Sequence, residues 1–170
     1  MKLARRFMLA CAVGLTMVLV GCKMSPSQIA ATSQSAGTAV TIVWIAYDNP
    51  SVAQKEGLSL VLSTVRTNIG IVGTNTYVSV LYPKVQAYVD ASTNIPAIDK
   101  PLIDAGALAI LGGIDMLFAG HPDWKKDTQQ VGVYVGAFIT GANIALALPE
   151  NDPQIVSAIA CHKTRLGIKR

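Results

Sequence analysis

The sequence predicts an all-α protein, an antiparallel bundle of five or six helices that follows a flexible N-terminal tether. Apolar residues recur at every third or fourth position through most of the chain after residue 50, which is the spacing of one buried helix face. Capping residues precede these segments, and glycine or proline follows them. Short polar loops separate the segments, as is typical of helices that pack in antiparallel pairs.

The first apolar segment of the domain, residues 40–47, leaves two interpretations open. Its β-branched and aromatic residues favour a buried strand, whereas its position in a mostly helical chain favours a helix. Asn49 as N-cap and Pro50 as the first helical residue then predict a helix that ends near residue 68 or 69. Gly70 follows this helix as a stop signal.

Further helices are predicted along the rest of the chain. One covers residues 76–90, with a kink at Pro83 or a start delayed to residue 82, because proline cannot donate the helical hydrogen bond. Another runs from residue 99 or 100 to 119. A long helix runs from residue 122 or 123 to 148, and the last one begins near residue 152 and fades after Cys161.

The N-terminus carries a different pattern. Lys2, Arg5 and Arg6 precede an uncharged, apolar run over residues 7–20, which is typical of an export signal and is short for a membrane span. The run closes with the residues Leu19, Val20, Gly21 and Cys22. This order resembles the lipobox of bacterial lipoproteins.

The resemblance to bacterial lipoproteins implies cleavage between Gly21 and Cys22. It also implies attachment of a diacylglyceryl group and a further acyl chain, such as palmitate, to Cys22. Two or three acyl chains attach a protein firmly to membrane lipid, because each buried methylene group contributes about 0.8 kcal/mol. Lys23 stands where enteric lipoproteins retained in the inner membrane carry an aspartate. The resemblance therefore implies the outer membrane, on the side that faces the periplasm.

These features divide the chain into four parts. Residues 1–21 are the predicted signal peptide, and the small and polar residues 22–38 are the predicted lipidated tether. Residues 39–163 form the predicted helical domain. Residues 164–170 form a basic C-terminal tail, which is expected to be solvated, although it could also contact anionic lipid.

The predicted mature protein is close to neutral. Of 14 basic residues, Lys2, Arg5 and Arg6 lie in the signal, which leaves 11 against 10 acidic residues and a net charge near +1. Such a balance argues against a nucleic-acid partner. Charged residues make up 14% of the chain and apolar residues 51%. The domain is therefore expected to cover much of its surface with a partner or to place part of itself in a membrane.

Two nearly uncharged segments, residues 102–120 and 131–148, could insert into a membrane as a helical hairpin or form the central helices of a soluble bundle. Asp104 and Asp115 favour the bundle, because a carboxylate that faces lipid costs about 2.5–3.5 kcal/mol. We expect both aspartates to face solvent or to be capped. Small residues at every fourth position suit close packing under either interpretation: Ala105, Ala109 and Gly113, and Gly132, Gly136 and Thr140.

No residue pattern predicts a catalytic residue, a metal site or a cofactor. His121 lies in a turn and is expected to be exposed, and His162 follows Cys161 at a spacing that is not typical of metal ligands. Cys161 has apolar neighbours, which predict a buried and unreactive thiol. Asp104 and Asp115 are separated by about 16 Å along one helix, which is too far for a pair of catalytic carboxylates.

Two functional hypotheses follow. The first is a lipid-anchored envelope protein that acts without catalysis as a structural or interaction accessory. It would be held to membrane lipid through Cys22 and would bind another envelope protein or a second copy of itself. The second is a membrane-inserting hairpin protein with a channel-like or membrane-active role, built on residues 102–120 and 131–148. A cleft for a lipid or a small apolar ligand is a third option.

Overall fold

The computed structural model describes residues 24–69, 75–122 and 128–165, and these residues form helices and no strand. The helices are α1 (Pro26–Asp48), α2 (Val52–Thr67), α3 (Tyr77–Ala91), α4 (Lys100–Gly120), α5 (Thr128–Ala147) and α6 (Pro153–Arg165). The prediction of an all-α bundle is therefore confirmed for the described part of the chain. The open choice for residues 40–47 is also decided, since they belong to α1.

Helices α1 and α4 cross the core in opposite directions. Trp44, near the end of α1, lies beside Gly106 in the first part of α4. Val40, one turn earlier in α1, lies beside Gly113, two turns later in α4. Trp44 is fully buried, so this antiparallel pair forms part of the apolar core.

The two ends of the bundle can be defined from contacts between helix termini. Gln54 in the first turn of α2 donates a hydrogen bond to Asp99 at the start of α4, at 2.7 Å. Lys100 of α4 donates to the backbone carbonyl of Asp90 near the end of α3, also at 2.7 Å. We call the end where α2, α4 and α6 begin the upper end. The end where α1, α3 and α5 begin is the lower end.

Helices α1 and α5 form the most extensive helix pair. A methyl group added at Gly37 would overlap the backbone carbonyl of Phe138, and one added at Gly141 would overlap the backbone carbonyl of Gln34. Thr38 Oγ1 donates a hydrogen bond to the carbonyl oxygen of Gly141 at 3.0 Å. Glycine is therefore required at both positions for the two helix backbones to approach each other this closely.

The predicted flexible tether over residues 22–38 is wrong for residues 26–38, which form the first half of α1. Ser25 caps this helix, because its Oγ accepts a hydrogen bond from the backbone N–H of Gln28 at 3.3 Å. The Gln28 side chain in turn accepts one from the Ser25 backbone N–H at 2.8 Å. This capping box satisfies free N–H groups of the first turn. Small residues such as Ser33 are buried in the bundle rather than forming a linker.

Helix α2 begins at Val52, two residues after the predicted start at Pro50. Asn49 is not its N-cap but ends α1, in a left-handed conformation with φ 46° and ψ 55° that asparagine tolerates better than most residues. Ser51 caps α2, and its Oγ accepts from the Gln54 backbone N–H at 3.3 Å. A second capping box therefore overrides the Asn-Pro signal.

The remaining helices follow their predictions with shifted ends. Helix α3 begins at Tyr77 and continues through Pro83, and α4 lies within one residue of its predicted bounds. Helix α5 is described from Thr128, and its predicted start at residue 122 or 123 borders residues 123–127, which lie outside the described part of the chain. Helix α6 extends to Arg165. The predicted stop at Gly70 lies outside the described residues.

Candidate functional site

The predicted lipid attachment site, Cys22, lies outside the described residues, as do Gly21 and Lys23. The structure does fix the start of the bundle at Pro26, four residues after Cys22. A polypeptide extends by at most about 3.3–3.6 Å per residue, so this distance is at most about 14 Å. Any group attached to Cys22 therefore stays close to the lower end of the bundle.

Among the residues that the structure describes, acidic side chains are concentrated at the upper end, opposite the start of α1. Lys55 and Lys100 lie at this end as well, so its charge is net negative. In the lower half, Arg66 is exposed near the end of α2, and Asp115 of α4 contacts the start of α3. The acidic residues of the upper end are Asp48, Glu56, Asp90, Asp99, Asp104, Glu150 and Asp152.

Helix α4, the first of the two nearly uncharged segments, is covered along its length. No residue between Leu102 and Phe118 is exposed. The helix packs mainly against α1, α2 and α3, and it has only a small contact with α5, which packs mainly against α1. The two segments of the predicted hairpin are therefore not each other's principal partners.

Helix α5 has one apolar face that none of the described residues covers. A methyl group added at Gly132 or Gly136 would meet no described atom within 4 Å, so these glycines do not serve the close packing expected of them. Gly141 serves it instead. Val133 and Ile144 are 53% and 44% exposed on the same side as the two open glycines. We call Gly132, Val133, Gly136 and Ile144 the α5 outer face.

Asp115 caps the N-terminus of α3. Its Oδ1 accepts a hydrogen bond from the Tyr77 backbone N–H at 2.7 Å, and its Oδ2 accepts one from the Val78 N–H at 3.0 Å. The Tyr77 ring stacks on Phe118, with ring centres 5.9 Å apart. Burial, and to a smaller extent the Asp115 charge, raises the pKa of Tyr77 to about 12. Asp115 therefore joins two helices.

Asp104 lies in a different environment on the same helix. Its Oδ1 is buried and has no hydrogen-bond partner among the described residues. Burial, followed by the charge of Asp90, raises the pKa of Asp104, while Lys100 lowers it. Burial and then the Asp104 charge also raise the pKa of Tyr82, while a hydrogen bond from Gln86 lowers it.

Two predictions about single residues are wrong. His121 is partly buried rather than exposed, and burial lowers its pKa. Cys161 is exposed rather than buried, because α6 turns Ile155 and Ile159 toward the core and places residue 161 on another side. The side chain of His162 lies outside the described residues. Within the described ranges no three His, Cys, Asp or Glu side chains are grouped to hold a metal.

Lys55 was missed by the sequence analysis. It is 7% exposed in the first part of α2, on the face that also buries Leu58, Leu62 and Val65. The sequence does indicate that Lys55 is buried, because it lies three residues before Leu58, at the position where the spacing of this buried face expects an apolar residue. A lysine on the buried face of an amphipathic helix is unusual, because charged side chains are rarely buried.

Comparisons with protein-family models, with curated proteins and with solved structures gave no match to this chain. Its function is therefore inferred from its own residues and geometry.

Proposed function

We propose that this protein is a lipid-anchored protein of the bacterial envelope that acts without catalysis as an interaction accessory. The observation that carries the proposal is the distance between the lipobox and the fold. A capped helix begins at Pro26, four residues after Cys22. Acyl chains on Cys22 would hold the lower end of the bundle within about 14 Å of the membrane surface.

This arrangement gives the bundle an orientation. The lower end faces the lipid, and the net negative upper end faces the aqueous compartment, which is the periplasm for an outer-membrane lipoprotein. The α5 outer face lies on the side of the bundle, where Val133 and Ile144 expose apolar surface. Confinement to a membrane raises the effective concentration of such a surface for a membrane-bound partner. The partner is proposed to be another envelope protein.

The test separates lipid attachment from other membrane association. The full chain with its own signal is labelled with radioactive palmitate in a bacterial host, alongside Cys22→Ala and, as a matched control, Cys161→Ser. We expect label in the wild type and in Cys161→Ser but not in Cys22→Ala. Label that persists in Cys22→Ala would contradict the proposal.

A second candidate function is the membrane-inserting hairpin. It is favoured by the length and apolar character of three helices, Pro26–Asp48, Lys100–Gly120 and Gln130–Ala147, each of which is long and apolar enough to cross a membrane. Two observations weigh against it: other helices bury much of α4, and Asp115 accepts a hydrogen bond from the first turn of α3.

Carbonate extraction distinguishes the two candidates. Residues 1–22 are replaced by a cleavable periplasmic signal, so that the product carries neither Cys22 nor the original apolar run. A lipid-anchored bundle would then appear in the soluble periplasmic fraction. A membrane hairpin would stay in the carbonate-washed membrane pellet, and conductance measurements on vesicles would follow.

A further inference from the structure

An open cleft of about 490 Å³ lies at the upper end of the bundle, between the start of α2 and the end of α5. This volume is within the range of sites that bind small molecules, which is about 300–1,000 Å³. Val52, Leu148 and Pro149 contribute apolar walls, and Val52 is 63% exposed. Ser59 donates a hydrogen bond to Asn143 at 2.9 Å, so the polar groups that join α2 to α5 in the cleft are already paired.

Lys55 lines this cleft although its side chain is more than nine-tenths buried. It has no hydrogen bond or ion pair with any residue in the described ranges. In contrast, Lys100, at the same end of the bundle, donates to the Asp90 carbonyl at 2.7 Å. The buried part of Lys55 is its methylene stem, whereas the ammonium group reaches the water in the cleft, since Nζ is not among the side-chain atoms that are both buried and unpaired. Lys55 therefore offers an unmatched positive charge beside an apolar wall.

The residues around the opening limit which anions fit. Glu56 and Glu150 also line the cleft, and both are exposed. With Lys55, the three charged side chains sum to one negative charge. A ligand with several negative charges would be repelled by the two glutamates, whereas a single negative charge can pair with Lys55.

We propose that the cleft binds a monocarboxylate with a compact apolar body, with the carboxylate paired to Lys55 and the body packed against Val52, Leu148 and Pro149. The same chemistry occurs in a free branched-chain acid and in the C-terminal leucine of a peptide. This site does not require the lipid on Cys22, so it can fail or succeed independently of the proposed anchoring role.

The test measures binding by calorimetry to the full chain in phosphatidylcholine nanodiscs. The first probe is isocaproate, and its uncharged amide is the matched control. The second pair is an acetylated tripeptide ending in leucine, with a free carboxylate or as the amide. We expect at least one acid to bind about tenfold or more tightly than its amide, and binding confined to one pair identifies the source.

Three variants test whether the preference for the acid over the amide depends on Lys55. Lys55→Met keeps the length of the side chain and removes its charge, so it should abolish the preference for the acid. Lys55→Arg should retain part of it, and Lys84→Met, at an exposed lysine of α3, should leave it unchanged. A preference that survives Lys55→Met would overturn the proposal, and so would equal binding, or no binding, of acid and amide by the wild type.

Discussion

The Asp115 carboxylate of α4 accepts a hydrogen bond of 2.7 Å from the backbone N–H of Tyr77, the first residue of α3. The second carboxylate oxygen accepts from Val78 at 3.0 Å. The first N–H groups of a helix have no intrahelical acceptor, and the helix dipole favours negative charge beside them. An acidic residue within an apolar helix is thus used to fix the start of a neighbouring helix.

Replacing Asp115 by Asn is expected to lower the free energy of unfolding by about 1–3 kcal/mol, because the amide offers one acceptor oxygen and no charge to two donors. Denaturant unfolding followed by circular dichroism measures the change. Glu56→Gln, at an exposed acid of α2, removes the same charge without a cap and should have little effect. Equal stability of Asp115→Asn and the wild type would contradict the capping role.

Replacing Asp104 by Asn is expected to raise the free energy of unfolding at neutral pH, whereas Asp115→Asn is expected to lower it. The pKa of Asp104 is raised above 3.8, so the folded state binds this proton more tightly than the unfolded state does. Stability contributed by this group therefore falls as the pH rises through the raised pKa. The variant should be more stable than the wild type at pH 7, and the difference should vanish below pH 3.8. Unfolding curves at both pH values check this, and a variant that is less stable at pH 7 would contradict it.

The helices could be predicted from the sequence because their signals are local. Periodic apolar residues located α2 to α6, and errors arose where two local signals compete. Asn49 and Pro50 are a good helix start, yet Ser51 with Gln54 forms a capping box and uses Asn49 to end the preceding helix. The small residues after Ser25 resemble a linker in composition, although the capping box that starts α1 is also present in the sequence.

The contact between α1 and α5 predicts different outcomes for two glycines of one helix. Gly141→Ala is expected to destabilise the protein by about 1–3 kcal/mol or more, because the new methyl group overlaps the Gln34 backbone. Gly136→Ala meets no atom within 4 Å and should raise the stability by about 0.5–1 kcal/mol through helix propensity. Thermal unfolding of both variants checks the pair, and a similar effect at both positions would argue against the observed packing.

Long-range features could not be predicted in the same way. The link between Asp115 and Tyr77 joins residues 38 positions apart, and nothing near either residue indicates it. Gly132, Gly136 and Gly141 have similar sequence surroundings, but only their position against α1 decides which one is required. Lys55 differs from these, because its place in an apolar series made it visible in the sequence.

Cys161 should react with a maleimide in the folded protein, because its side chain is exposed. If Cys22 carries lipid on its sulfur, the mature wild type should take up one label per chain, and Cys161→Ser should take up none. Mass spectrometry of the native and the denatured protein measures the number of labels. Labelling that requires denaturant would contradict the exposed position, and label in Cys161→Ser would show a free thiol at Cys22.

The short distance between Cys22 and α1 predicts which end of the bundle lies near the membrane. Val52 and Thr67 are exposed at opposite ends of α2, about 22 Å apart along the helix axis. Each is replaced by Cys in a Cys161→Ser background and labelled with a fluorescent donor, with acceptors on the lipid headgroups. Energy transfer should be stronger from position 67, at the lower end, than from position 52.

Inserting a long Gly-Ser linker between Lys23 and Met24 should remove most of the difference, since the bundle could then turn freely. Equal transfer from both positions before the insertion would mean that the anchor does not orient the bundle.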